Sequence, residues 1–226
     1  MEFFASLVDL AASVFDFIIH IDAHLSQIVA RYGWQTYLIL FIIIFWETGV
    51  VIWPFLPGDS LLFAAGSIAA LDDSPLNPAA LFFLLAAAAI LGDTVNYWLG
   101  HFIGPKAFKS DGRFIKKKHL DKTQAFYEKY GARTIIIARF APIVRTFAPF
   151  VAGIGKMHYR RFIGYNVIGA VLWIFLFIGA GYFFGNLAVV KENFSLVILA
   201  IIVLSCLPIA LEYIKAKTAA KRASSS

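Results

Sequence analysis

The chain has 226 residues, of which 60% are hydrophobic and 23 are Phe, with a mean hydropathy of +0.76. Soluble domains hold about 45–50% apolar residues, so the composition excludes an ordinary soluble fold and points to one integral membrane domain. The net charge of +6 is concentrated in residues 101–133 (Lys106, Lys109, Arg113, Lys116, Lys117, Lys118, Lys122, Lys129, Arg133) and in a tail bearing Lys215, Lys217, Lys221 and Arg222. No nucleic-acid module accompanies that charge, and no nucleic-acid partner is expected. The positive-inside rule places both stretches, and so the C-terminus, in the cytoplasm, where they would also attract anionic headgroups. The single cysteine, Cys206, rules out an intrachain disulfide framework or a cysteine metal cluster. No cleavable signal peptide is expected, because Met1-Glu2 opens without a basic region and Asp9 and Asp16 interrupt the apolar run.

In chain order, residues 1–31 read as an amphipathic interfacial helix. Asp9, Ser13, Asp16, His20, His24, Gln27 and Arg31 recur at helical spacing as one narrow polar stripe. His20 and His24 stand four apart, but a solvated polar face accounts for them better than a metal pair, and no metal site is expected. Residues 34–71 contain two apolar runs, each too short for a comfortable span, which needs about 20 apolar residues. Pro54 and Pro57, followed by Gly58, force the chain out of helix between them. A first re-entrant hairpin, in and back out on one side, is the economical reading.

The loop at 72–78 has no Lys or Arg and reads as periplasmic. Residues 79–103 form a spanning helix with Asp93 inside, and 104–132 a basic cytoplasmic segment. Residues 134–154 repeat the broken pattern around Pro142 and read as a second re-entrant hairpin, opening to the cytoplasm. Residues 162–184 and 194–213 read as ordinary spans, and 214–226 as a cytoplasmic tail. The expected fold is an all-α polytopic membrane domain with two opposed hairpins. Two interrupted segments of opposite orientation are the signature of an inverted repeat with a site between them at the midplane.

The candidate site residues are the charges on those broken segments. An ionisable side chain at bilayer depth costs about 2.5–3.5 kcal/mol or more unless it is paired or faces water. Glu47 and Asp59 flank the first break and are candidates for carrying protons. Asp59 also suits the N-terminus of the returning helix as a cap. Arg139 and Arg145 flank the second break, and their planar forks suit phosphate or carboxylate. Asp93 and Tyr97 share a face of the 79–103 helix, with Asp93 placed to meet a buried arginine. Gly92, Asn96 and Gly100 beside them read as a packing surface. Trp46, Trp53, Trp98 and Trp173 read as apolar packing or interface anchors. No hydrolase, P-loop or zinc spacing occurs, and Gly153-Ile154-Gly155 lacks the third glycine of a dinucleotide fingerprint. Neither enzyme activity nor a cofactor is expected.

Together, Trp46-Glu47-Thr48-Gly49, Phe55-Leu56-Pro57-Gly58-Asp59, Gly92-Asp93 with Tyr97 and Gly100, Ala138-Arg139-Phe140 with Pro142, Arg145-Thr146, and Ala152-Gly153 resemble the bacterial DedA family. More distantly they are similar to the eukaryotic VTT-domain (SNARE-associated) membrane proteins. The resemblance covers about residues 30–185. It implies a bacterial inner-membrane protein with two opposed re-entrant hairpins that translocates lipid, above all undecaprenyl phosphate, in dependence on the proton motive force. It carries the family's important acidic and basic positions onto Glu47, Asp59, Arg139 and Arg145. Two other classes stay open at this stage: a proton- or ion-coupled transporter of a small soluble solute, and a non-transporting membrane scaffold. A homo-oligomer is also left open.

Overall fold

The computed structural model describes residues 20–50, 58–109, 131 and 133–205. Residues 1–19 of the amphipathic segment, the break at Pro54 and Pro57, most of the basic 104–132 segment and the 214–226 tail lie outside the described residues.

Among the described residues the fold is all helix. Helix α1 (Ile21–Tyr32) buries Ile21, Leu25 and Val29, one residue per turn, and leaves Gln27 and Arg31 exposed. It ends at Gly33, whose φ of +50° is readily adopted only without a Cβ. One 3₁₀ turn, Gly33–Gln35, leads into α2 (Thr36–Gly49). Then come α3 (Gly58–Ala69) and α4 (Pro78–Lys109). The start of α4 is fixed by its cap: the Asn77 side-chain oxygen accepts the N–H groups of Ala79 and Ala80 at 2.9 and 3.1 Å, and Pro78 needs no partner there. Short α5 (Thr134–Ala138) is followed by α6 (Pro142–Ile154), with proline again at the first helical position. The described residues end with α7 (Tyr159–Phe184), short α8 (Ala188–Glu192) and α9 (Phe194–Ser205).

Three runs are long and apolar enough to cross a membrane: Ile21–Gly49, Pro78–Ile103 and Tyr159–Phe184. At 1.5 Å per residue, a 26-residue helix such as Tyr159–Phe184 exceeds the ~30 Å hydrocarbon core. Their outer faces carry Ile42, Trp46, Phe83, Leu91, Phe175 and Phe183, all exposed. The buried set includes Glu47, Asp59, Asp93, Asn96, Arg139, Arg145 and Asn166. Apolar groups outside and charges inside are what a lipid solvent selects.

Helix directions follow from the contacts. Helices α2 and α4 run parallel, since Tyr37 meets Asn77 and Gly49 meets Gly92. Helix α3 starts beside Glu47 and leads into the loop ending at Asn77, and it packs against α1. Helices α4 and α7 are antiparallel: Ile90 meets Asn166, and Tyr97 stacks on Phe162 with ring centroids 4.5 Å apart. Helix α3 packs on α7 and α6 packs on α4. Both crossings have the same form. A Cβ on Gly66 would strike the Ile178 carbonyl while one on Gly181 would strike that of Phe63. A Cβ on Gly153 would strike the Tyr97 carbonyl while one on Gly100 would strike that of Phe150. In each case glycines on both helices, each three residues from the carbonyl its partner approaches, let two backbones touch.

A buried ion-pair cluster as the candidate functional site

The two crossings bring the ends of both broken segments to the middle of the molecule. Helix α2 stops where Thr48 and Gly49 lie on Gly92, next to Asp93 in the middle of the Pro78–Ile103 run. Asn96, a turn further along α4, donates to the Thr48 carbonyl at 3.1 Å and to the Thr146 carbonyl at 2.7 Å. One amide thus ties α2 and α6 to α4. Pro149 in α6 has no N–H, which removes the usual helical partner of the Arg145 carbonyl.

All five charges of this region are buried and paired. Arg145 holds two carboxylates at once, donating from Nη1 to Asp59 Oδ1 at 2.5 Å and from Nη2 to Glu47 Oε1. Arg139 pairs with Asp93 and donates to the Asn166 side-chain oxygen at 2.6 Å. Asn166 is fixed in turn by its own N–H₂ bond to the Ile90 carbonyl at 3.1 Å. Asp59 collects donors from three helices: Arg145 of α6, the Trp173 indole of α7 at 2.9 Å, and Ser205 of α9 at 2.7 Å.

Glu47 also accepts the Gly58 backbone N–H at 3.2 Å, so the cap expected of Asp59 at the start of α3 is supplied by Glu47 from the other side of the break. A Cβ on Gly58 would collide with that carboxylate, which explains glycine there. Asp59 sits in the first turn, where a negative charge suits the helix dipole.

Three carboxylates face two guanidinium groups, so one proton makes the cluster electroneutral. Breaking a buried ion pair by removing one partner costs about 3–5 kcal/mol, more than any single neutral hydrogen bond returns at about 0.5–1.5 kcal/mol. Simple separation of these buried pairs is therefore costly. Among the described residues, Glu47 Oε2, Arg139 Nη1 and Arg145 Nε have no hydrogen-bond partner. Both arginines line one small cavity with Thr48, Asp93, Pro149 and Trp173, with room for about one water molecule.

Glu47, Asp59, Asp93, Arg139 and Arg145 all meet in this cluster. Tyr97 does not: it packs among Phe162, Tyr159, Trp98 and His101 and donates its hydroxyl proton to the Met157 carbonyl. Pro142 opens α6 and Gly58 opens α3. The sequence reading did not place Asn166, Trp173 or Ser205 in the site. Asn166 carried a usable signal, since it is a side-chain amide in an otherwise apolar run. Among the described residues no group of three or more His, Cys, Asp or Glu side chains is placed to hold a metal ion.

A membrane protein, helical throughout its described elements, with a buried charge cluster between antiparallel helices is thus defined. The VTT-domain model matches residues 56–183, which include every cluster residue except Glu47 and Ser205. The chain belongs to the VTT-domain, or DedA, family of membrane proteins. It is 54% identical over 217 residues to Protein DedA of Escherichia coli, covering 96% of this chain and 99% of that one. It is 46% identical over 170 residues to an uncharacterized membrane protein of Mycobacterium tuberculosis, covering 75% and 74%. It is 30% identical over 210 residues to the inner membrane protein YghB of E. coli, covering 92% and 90%. No solved structure matches.

Proposed function

We propose that the chain is a lipid flippase of a bacterial inner membrane that returns an anionic carrier, undecaprenyl phosphate, across the bilayer, with protons coupled to the movement. In this reading the two broken segments are opposed re-entrant hairpins of an inverted repeat, and the C-terminal tail is cytoplasmic. The matched glycine crossings and the antiparallel α4 and α7 support that geometry. Arg139 and Arg145 take the phosphate, and the polyprenyl tail stays in lipid.

The observation that carries the reading is the double pairing of Arg145 with Glu47 and Asp59 across the break. A guanidinium whose donor edge is filled by carboxylates is a phosphate site in its closed form, because both oxyanions use the same fork. Protonation of a carboxylate weakens its hold and releases that edge to a headgroup. Return of the headgroup's charge to the other side restores the ion pairs. Proton and phosphate thereby compete for the same arginine, which is a coupling mechanism.

The test is purified protein in liposomes, with headgroup accessibility of undecaprenyl phosphate followed against phosphatidylethanolamine. Fast exchange of the prenyl phosphate with slow exchange of the phospholipid is expected. Equal rates for both, or no exchange above protein-free vesicles, would refute it.

A further inference from the structure

One buried aromatic residue touches both arginines and one carboxylate of the cluster that the phosphate reading uses. Trp173 is fully buried in the middle of α7. Arg145 Cζ lies 4.9 Å from its ring centroid and Arg139 Cζ 5.8 Å. Both fall inside the ~6 Å reach of a cation–π contact. Its Nε1–H donates to Asp59 Oδ1, the same oxygen that Arg145 Nη1 reaches. Gly169, one turn earlier on α7, lies beside Arg139: a Cβ there would stand 3.5 Å from Arg139 Nε, an ordinary van der Waals contact.

We infer that Trp173 is a positioning residue for the phosphate: its ring carries both guanidinium groups while its N–H tethers Asp59. The inference rests on the phosphate reading above. The physical point is that a π face and an oxyanion ask different things of an arginine. Carboxylate and phosphate compete for the N–H donors at the guanidinium edge. An aromatic ring attracts the cation without using up those donors. When Glu47 and Asp59 give way, the ring contact can persist, and two like charges stay side by side with free donors. Arg139 Nη1 and Arg145 Nε already lack partners beside the cavity that Trp173 lines. The indole N–H gives the reverse stroke, since a donor-only group holds Asp59 where it can recapture Arg145.

A core tryptophan that merely fills space would tolerate changes in ring electronics. The test is therefore site-specific replacement of Trp173 by mono-, di- and trifluorotryptophan, which withdraws electron density from the ring with little change in shape. Two readouts are taken: equilibrium binding of a short-chain prenyl phosphate by calorimetry, and undecaprenyl phosphate exchange in proteoliposomes. A stepwise weakening of prenyl-phosphate binding with each fluorine is expected, several-fold across the series. Trp173→Phe, which keeps a ring and loses the N–H, should bind the probe and show an altered pH profile of exchange. Binding that is flat across the fluorinated series overturns the inference while leaving the flippase reading to its own test. Fluorine-dependent binding without lipid exchange supports the inference and removes the translocation step instead. Absence of binding by the unmodified chain overturns both.

Discussion

Arg145 satisfies two carboxylates from the two sides of one helix break, and Arg139 satisfies Asp93 and Asn166 from two further helices. Geometry as well as charge sets the demand here: Arg145 reaches partners on different elements through the two arms of its fork, Nη1 and Nη2, while Arg139 directs Nη2 to both Asp93 and Asn166. Lysine supplies one compact ammonium in place of that fork. Arg145→Lys and Arg139→Lys are therefore expected to lower lipid exchange by about tenfold or more, the loss that one charged hydrogen bond of ~1.5–3 kcal/mol implies. Protein levels in the membrane should stay near normal, because the charge is retained. Wild-type exchange by both lysine variants in the liposome assay would end the clamp role. Glu47, Asp59, Asp93, Arg139 and Arg145 were legible in the sequence because ionisable groups are so costly at bilayer depth that they stand out. Trp173 was not, since nothing in a run of apolar residues separates a tryptophan facing lipid from one facing two arginines. Ser205 was hidden for a similar reason, a small hydroxyl in a helix whose packing partner the sequence does not reveal.

The short helices owe their positions to close backbone contact. The glycine pairs Gly66–Gly181 and Gly100–Gly153 admit no Cβ without moving a backbone carbonyl, whereas Gly164 and Gly179 have nothing within 4 Å of that position. Gly66→Ala and Gly153→Ala should each lower thermal stability in detergent, by about 1–3 kcal/mol as overpacked sites do. Gly164→Ala and Gly179→Ala should be neutral or slightly stabilising, as helix propensity favours alanine. Equal melting temperatures for all four would contradict the crossings. Asn96 offers a second probe of the same elements. Asn96→Leu removes the donor that the Thr48 and Thr146 carbonyls share, at about 0.5–1.5 kcal/mol for each lost hydrogen bond, and should appear as a loss of thermal stability. Helix existence and the second break were readable from apolar run length and from Pro142. The pairing of α3 with α7 and of α6 with α4 was not, because small residues mark a close contact without naming the partner. The residues 162–184 that read as an ordinary span turn out to carry Asn166 and Trp173 of the cluster.

At the scale of the molecule, α4 and α7 run antiparallel, with α3 packed on α7 and α6 packed on α4. The sidedness that the flippase reading needs is testable by cysteine labelling in a background lacking Cys206. Cysteines at 72–76 should react from outside and those at 113–122 only from inside. Reaction of both from one face would remove the inverted-repeat argument.

The central claim is that proton and phosphate compete for the guanidinium groups of one buried cluster. It is tested most directly by imposing a pH gradient on proteoliposomes carrying wild-type protein or Glu47→Gln, and following undecaprenyl phosphate exchange. The neutral amide cannot gain or lose the proton, so the gradient should accelerate wild type and leave the residual rate of the variant unchanged, with prenyl-phosphate binding still measurable in both. Identical gradient dependence in the two proteins would contradict the account and leave the cluster as a static set of ion pairs.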